Sequence, residues 1–132
     1  MEFVCYTDWN QLPESADALF EHGSRASIFF SRPWFENLTT TVLQDDESLL
    51  LACVVEAETV FAILPLKTHD QKHLYGLTHL YSSLYSLLLS GQNQQEIIQC
   101  LAQGLDEMPM ESLRLDPVAE DDRIVQMLQQ VM

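Results

Sequence analysis

Glycine is scarce in this chain, and its distribution removes several classes of nucleotide-binding protein. The sequence contains only four glycines, and they stand apart from one another at Gly23, Gly76, Gly91 and Gly104. A backbone cradle for phosphate needs several glycines at short, fixed spacing, as in the P-loop and the dinucleotide-binding loop. The sequence therefore predicts neither of these loops.

Basic residues are equally scarce. Six lysines and arginines stand against 20 aspartates and glutamates, so the formal net charge is −14 and the isoelectric point is about 4.3. A protein of this charge repels phosphate backbones and anionic lipid headgroups. We therefore expect no nucleic-acid partner and no membrane-surface role. The two lysines, Lys67 and Lys72, lie close together, and we interpret them as part of a solvated turn.

Long apolar runs and closely spaced cysteines are also absent. The longest runs, Leu49–Val55 and Val60–Leu66, are far shorter than the roughly 20 residues that a membrane-spanning helix needs. The N-terminus lacks the basic stretch that opens a signal peptide. The cysteines are too far apart for a metal ribbon or a redox pair. We interpret them as buried free thiols in a reducing, cytoplasmic compartment: Cys5, Cys53 and Cys100.

The remaining pattern predicts one globular domain over residues 1–132, because the chain is 47% hydrophobic and 20% charged. Two nearly continuous apolar runs, Ser48–Glu56 and Thr59–Thr68, predict a hairpin of central strands that is covered on both faces. Helical periodicity returns after Gly91, where Asn93 and Glu96 have the spacing of a capping box. An apolar stripe follows at helical spacing, formed by Ile97, Ile98, Leu101, Leu105 and Met108. The predicted order is β-α-α-β-β-β-β-α-β-α, which indicates an α/β layered fold with a mainly antiparallel sheet flanked by helices.

The other predicted elements follow from shorter signals. Asp8 is placed to cap a first helix that Gly23 ends, and Pro33 lies in the first turn of a second helix. The last helix reaches the end of the sequence without a polar cap, so we expect the chain to be a fragment of a longer protein. The remaining strands and this helix are predicted at Phe3–Tyr6, Lys72–Leu80, Leu84–Ser90, Glu111–Asp116 and Arg123–Met132.

Few residues form a recognisable chemical motif. His69 and His73 flank Asp70, but a polar turn explains this spacing better than a metal site does. The cysteines lie among apolar neighbours, which favours the core over a nucleophile's position. We therefore assign no catalytic, cofactor-binding or metal-binding residue.

The stretch from 80 to 86 is the most unusual, because tyrosines and serines follow directly on a predicted strand. Arg32 and Trp34, at the start of the second helix, could add an anion contact and a wall to a pocket there. Trp34 is otherwise a core anchor. The hydroxyls and rings of the stretch can line a small-molecule pocket or can pack at the rim of a turn, and the residues are Tyr81, Ser82, Ser83 and Tyr85.

Four segments, taken in order, resemble a known family. Trp9-x-x-Leu12 and Ser27–Phe35 resemble its opening motif, Ile63–Lys67 resembles its "lPL" strand, and Tyr81–Ser86 resembles the tyrosine–serine segment that follows. The family is the FemAB-like, cellulose-biosynthesis-type branch of the GNAT acyltransferase superfamily, whose members carry two GNAT-like halves in tandem. The resemblance covers most of Trp9–Leu89 and departs at Leu87, where the family often has proline.

The resemblance implies that this chain is the degenerate, N-terminal half of such an enzyme. Acyl-donor binding and transfer are centred on the second half in that family, so this half alone would be inactive and would shape the acceptor cleft. The chain lacks the Q/R-x-x-G-x-G/A loop that binds the acyl-CoA pyrophosphate there, which agrees with this implication. The implied partners are the C-terminal half of the same polypeptide, acetyl-CoA or another acyl-CoA in the full-length protein, and a small amine or sugar-linked acceptor.

The alternative interpretation is a stand-alone acidic α/β module that docks a basic partner through its negative surface. A reading frame that continues past Met132 into a second α/β unit would favour the enzyme half. A self-associating product that stops there would favour the module. The sequence allows a homodimer in either case.

Overall fold

Two long strands occupy the centre of the protein in the computed structural model. β2 (Ser48–Glu56) and β3 (Thr59–Thr68) form an antiparallel hairpin whose turn is Ala57-Glu58, as the sequence predicts. Seven consecutive residues of β2 are buried, and most of β3 is buried as well. Because side chains alternate between the two faces of a strand, this consecutive burial means that both faces of the hairpin are covered.

The structure describes residues 1–26, 32–41, 43, 46–70, 72–77, 88–90, 93–108 and 112–114. Within these residues the fold is α+β, with a six-stranded, mostly antiparallel mixed sheet flanked by helices. The further strands are β1 (Glu2–Tyr6), β4 (His73–Gly76), β5 (Leu88–Leu89) and β6 (Ser112–Arg114). The helices are α1 (Ala16–Ala26), α2 (Arg32–Thr41) and α3 (Gln94–Glu107), with a 3₁₀ helix at Trp9–Gln11.

The strand order is β1-β2-β3-β4-β6, and β5 pairs with β3 outside this path. All of the pairings are antiparallel except β4 with β6, which is parallel. The predicted third strand, Lys72–Leu80, is shorter in the structure and ends at Gly76. Of the predicted fourth strand the structure describes Leu88–Leu89. The predicted helix Arg123–Met132 lies outside the described residues.

The N-terminal turn follows the predicted cap. Asp8 Oδ1 accepts the N–H of Asn10 at 2.9 Å, and Gln11 Oε1 accepts the N–H of Asp8 at 3.2 Å. These bonds satisfy amide groups that have no partner at the start of a helix. The capped element is the 3₁₀ helix at Trp9–Gln11, and α1 begins separately at Ala16.

One predicted helix boundary is wrong, and one predicted capping box does not form. Gly23 does not end α1, which continues to Ala26, because a glycine ends a helix by adopting positive φ and no described glycine does so. Asn93 precedes α3 but makes no capping hydrogen bond through its side chain. Its φ of 54° is left-handed, whereas a capping residue is extended.

The predicted apolar stripe of α3 is confirmed and packs against β1, β2 and β3. Ile97, Ile98, Leu101 and Leu105 are all buried. Where α3 crosses β1, Gly104 lies so close to Phe3 that a Cβ added at Gly104 would overlap the Phe3 ring. Among the described residues, no helix has the length and apolar character needed to cross a membrane.

This close approach makes α3 sensitive to one methyl group. We expect Gly104→Ala to lower the free energy of unfolding by about 1–3 kcal/mol, because displacing the Phe3 ring outweighs the roughly 1 kcal/mol that alanine gains in a helix. Urea denaturation measures the change. Gln99→Ala, at an exposed position of the same helix, is the control and should change stability by less than about 0.5 kcal/mol.

The double variant Phe3→Leu, Gly104→Ala separates the overlap from other causes. A smaller side chain at position 3 leaves room for the new methyl group, so the cost of Gly104→Ala should shrink in that background. A Gly104→Ala protein as stable as the parent would show that α3 does not lie this close to β1.

Candidate functional site

The structure describes only part of the predicted pocket. Arg32 and Trp34 both lie in the first turn of α2, where Trp34 is half-buried against the hydrophobic core. The remaining predicted contacts lie outside the described residues, between Leu77 and Leu88: Tyr81, Ser82, Ser83 and Tyr85.

Three aromatic rings hold the two N-terminal helices and the 3₁₀ helix together. The ring centroid of Trp9 lies 5.8 Å from that of Phe20 on α1 and 6.0 Å from that of Phe35 on α2. Such separations are typical of favourable aromatic pairs. Trp9 Nε1–H donates to Thr39 Oγ1 at 2.8 Å, which satisfies the buried indole and fixes its orientation. The aromatic cluster therefore sets the position of α2.

Arg32 stabilises the same cluster from its edge. Its Nε–H donates to Glu36 Oε1 at 2.8 Å, its Nη1–H to Asp17 Oδ1 at 2.9 Å, and its Nη2–H to the carbonyl of Trp9 at 3.2 Å. Hydrogen bonding to Glu36 and then to Asp17 raises the pKa of the guanidinium. Each nitrogen of Arg32 thus has a partner within the fold, and the predicted contact with a ligand anion stays a prediction.

A groove of about 450 Å³ lies beside the aromatic cluster. Its volume falls within the range of small-molecule sites. Sequence reasoning missed this groove, because its walls come from three distant segments and no local pattern predicts their approach. The lining residues are Thr7, Asp8, Trp9, Thr39, Leu43 and the start of β2 at Ser48, Leu49 and Leu50.

Pro65 lies where β3 changes its partner. β2 occupies one edge of β3, so β4 and β5 share the other edge. The N–H of Leu77, directly after β4, donates to the carbonyl of Pro65 at 3.0 Å. Because proline has no N–H, it cannot donate a hydrogen bond to the carbonyl of Leu77. The ladder between β3 and β4 therefore lacks one hydrogen bond at this position. On the other side of Pro65, Ile63 pairs with Leu88 of β5.

The described residues on either side of the predicted tyrosine–serine segment both bond or pair with β3. Leu77 lies beside Pro65, and Leu88 lies opposite Ile63. Ile63 and Pro65 are two residues apart on β3, which corresponds to about 7 Å along a strand. The chain between Leu77 and Leu88 thus begins and ends at nearly the same place on β3, within the sheet rather than at its outer edge.

His69 and His73, for which the sequence predicts a polar turn, lie between β3 and β4 and at the first residue of β4, respectively. Asp70 Oδ1 accepts the N–H groups of His73 and Lys72, each at 2.9 Å, and these bonds lower the pKa of Asp70. Asp70 Oδ2 lies 3.8 Å from His69 Nε2 and 3.9 Å from His73 Nε2. His73 Nδ1 lies 2.8 Å from Ser112 Oγ, which joins β4 to β6. In the part of the chain that the structure describes, no three side chains are arranged to hold a metal ion.

The prediction of three buried thiols is correct for one cysteine only. Cys53 is fully buried, and burial raises its pKa to about 12, so it carries no reactive thiolate near neutral pH. Cys100 is half-buried and Cys5 is exposed. Cys5 differs because β1 lies at the end of the described strand order, where its side chains are less covered than those of β2.

The contacts of Arg32 predict a structural role with a measurable size. We expect Arg32→Lys to lower the free energy of unfolding by about 0.5–1 kcal/mol, because one ammonium cannot reproduce three directed hydrogen bonds. Lys72→Gln removes a charge from an exposed position and should have a smaller effect. Chemical denaturation of both variants makes the comparison. An equal effect of the two substitutions would indicate a general charge effect.

The lowered pKa of Asp70 predicts a pH-dependent contribution to stability. Its folded-state pKa lies below the unfolded value, so the carboxylate stabilises the fold above about pH 5. The contribution is lost as the pH falls through the lowered pKa. Asp70→Asn should therefore be less stable than the parent at about pH 7, and the difference should narrow towards about pH 3.

Chemical denaturation across this pH range tests the role of Asp70. Asp106→Asn, at an exposed position of α3, is the control for loss of one negative charge and should show no comparable trend. A stability difference for Asp70→Asn that stays constant with pH would contradict the role assigned to its carboxylate.

Comparisons of this chain with models of known protein families, with characterised proteins and with solved structures find no match. The function proposed below therefore rests on the contacts described above and on the motif resemblance.

Proposed function

We propose that this chain is the non-catalytic, N-terminal half of a GNAT-type N-acyltransferase and that it shapes the cleft for the acceptor. The α+β fold with its mostly antiparallel sheet is compatible with this function. The observation that carries the proposal is the placement of the residues that resemble the family. Among the described residues of these motifs, Trp9, Arg32 and Phe35 contact one another, and Ile63–Lys67 lies in the central strand β3.

The opening motif supports the proposal through direct contacts. Trp9 stacks against Phe35, and Arg32 donates a hydrogen bond to the carbonyl of Trp9. Leu12 is buried in the same core. Residues that are 20 to 30 positions apart in the sequence thus form one packed unit, which gives a physical reason for the motif to occur as a set.

The "lPL" motif supports the proposal through its position. Ile63–Lys67 lies in the middle of β3, and Pro65 is the residue at which β3 changes its partner strand. The segment with Tyr81, Ser82, Ser83 and Tyr85 begins and ends beside this proline. A polar segment joined to the middle of a sheet is well placed to line a cleft shared with a second domain, and this role for the four residues is part of the proposal.

The described residues do not fit an acyl-CoA. Gly23 lies inside α1, Gly76 lies within β4, and Gly104 packs against the ring of Phe3. None of them forms the turn of successive amides that a pyrophosphate needs. We therefore assign acetyl-CoA, or another acyl-CoA, to the second half of the enzyme, and this half supplies no step of the transfer.

Two measurements test whether the acyl donor binds to the second half of the enzyme and not to this chain. Titration calorimetry of this chain with acetyl-CoA should show no saturable binding up to about 1 mM. The polypeptide encoded by the complete reading frame should release free CoA from acetyl-CoA when a small amine is added. The same reaction without the amine is the control. Micromolar binding to this chain alone, or a reading frame that ends at Met132, would overturn the proposal.

One observation favours the alternative of an acidic interaction module. Arg32 and Lys67 are paired with carboxylates inside the fold, at 2.8–2.9 Å and 3.4 Å respectively, while the formal net charge is −14. A strongly negative surface attracts basic partners. Such a module would bind a basic protein with an affinity that falls steeply with salt, and its reading frame would contain no second α/β unit.

A further inference from the structure

The groove beside the aromatic cluster has a rigid floor. Trp9 is almost fully buried, and its indole N–H is held by Thr39. Thr39 Oγ1 in turn donates to the carbonyl of Phe35 at 3.0 Å. The hydroxyl of Thr39 is therefore used within the fold, and the wall that it forms with Trp9 presents mainly apolar surface. Leu43, Leu49 and Leu50 extend this surface.

Asp8 and Ser48 supply polar atoms to the lining of the groove. Asp8 caps the 3₁₀ helix through its carboxylate, which accepts the N–H of Asn10 at Oδ1 and forms no ion pair with a described residue. The hydroxyl of Ser48 is exposed and likewise makes no hydrogen bond with a described residue. The capping bonds hold Asp8 in place, so its carboxylate lines the groove at a fixed position, and Ser48 adds a hydroxyl.

The lining of the groove contains one charged residue, Asp8, and its charge is negative. None of the lining residues is basic. Lys67 pairs in the sheet with Leu49 of the groove wall, but its ammonium lies 3.4 Å from Glu47 Oε2. The groove therefore offers a negative charge to a ligand and no described cation to hold an anion, which selects positively charged molecules.

We propose that this groove binds a small molecule that carries a protonated amine on an apolar body. The ammonium group contacts Asp8 and Ser48, and the apolar body lies against Trp9 and Leu43. The proposal deepens the function proposed above, on which it rests for its biological meaning, because it names an amine as the acceptor class. The binding itself needs no acyl donor, so it is tested separately from the transfer reaction.

The test uses the indole N–H of Trp9 as a reporter in a ¹H–¹⁵N correlation spectrum. The chain has two tryptophans, so Trp34→Phe identifies the Trp9 signal. Cyclohexylmethylamine is the probe, and cyclohexylmethanol is its uncharged counterpart of nearly the same shape. We expect the amine to shift the Trp9 signal saturably, with a Kd on the order of 1 mM, and the alcohol to bind at least about twofold more weakly.

Asp8→Asn is the decisive variant, because asparagine caps a helix as well as aspartate does and only the charge is lost. It should weaken amine binding by about two- to fivefold, the range for an exposed ion pair, while binding of the alcohol stays unchanged. Asp106→Asn removes the same charge from α3, away from the groove, and should leave amine binding unchanged. If Asp8→Asn does not fold, Ser48→Ala replaces it, with an expected loss of about twofold.

Three results would overturn the proposal: no saturable shift of the Trp9 signal, equal binding of amine and alcohol, or equal amine binding by the parent and the folded groove variant. Each of these results would disprove the amine site. The acyltransferase proposal would then still be tested by the CoA-release assay. Conversely, amine binding to the groove together with failure of that assay would show a binding site without the proposed enzyme half.

Discussion

The rest of the structure depends on the burial of the β2–β3 hairpin on both of its faces. Complete burial of one large aliphatic side chain contributes about 1.5–3 kcal/mol, and the hairpin buries a long series of them. Its two edges give β1, β4 and β5 their hydrogen-bond partners, and α1 and α3 pack on it. The turn of the hairpin is stabilised by Ser15, which precedes α1. Its Oγ accepts the N–H of Val60 and donates to the carbonyl of Glu58.

Pro65 shows how one residue of this hairpin organises its surroundings. A proline in a central strand normally costs a ladder hydrogen bond, and for that reason it is rare there. Here it lies where β4 ends and before the pairing with β5 begins, so a single missing N–H coincides with a change of partner. The edge of β3 thereby receives two short strands instead of one long strand. It also receives both ends of the segment that carries Tyr81 and Tyr85.

The sequence predicts long, locally determined elements well and non-local features poorly. The bounds of β2 and β3 agree with the prediction because seven consecutive apolar residues fill each strand between polar residues at its ends. The end of β4 was not predictable from its own residues, because Pro65 lies on another strand. The contact of Gly104 with Phe3 depends likewise on tertiary packing. The groove was missed for the same reason, since only the fold brings its three walls together.

Three cationic groups in the described part of this acidic chain serve as internal crosslinks, and this determines what its surface can attract. Arg32 joins α2 to α1, Lys67 joins β3 to Glu47 ahead of β2, and the terminal amine joins β1 to Glu56 at 3.5 Å. None of these three groups remains to hold a ligand anion, while the net charge stays at −14. Such a field repels anions over a Debye length of about 8 Å and attracts cations. In the enzyme that we propose, an acceptor that reaches this domain would therefore be cationic or neutral, and for this reason we assign the polyanionic acyl donor to a second domain.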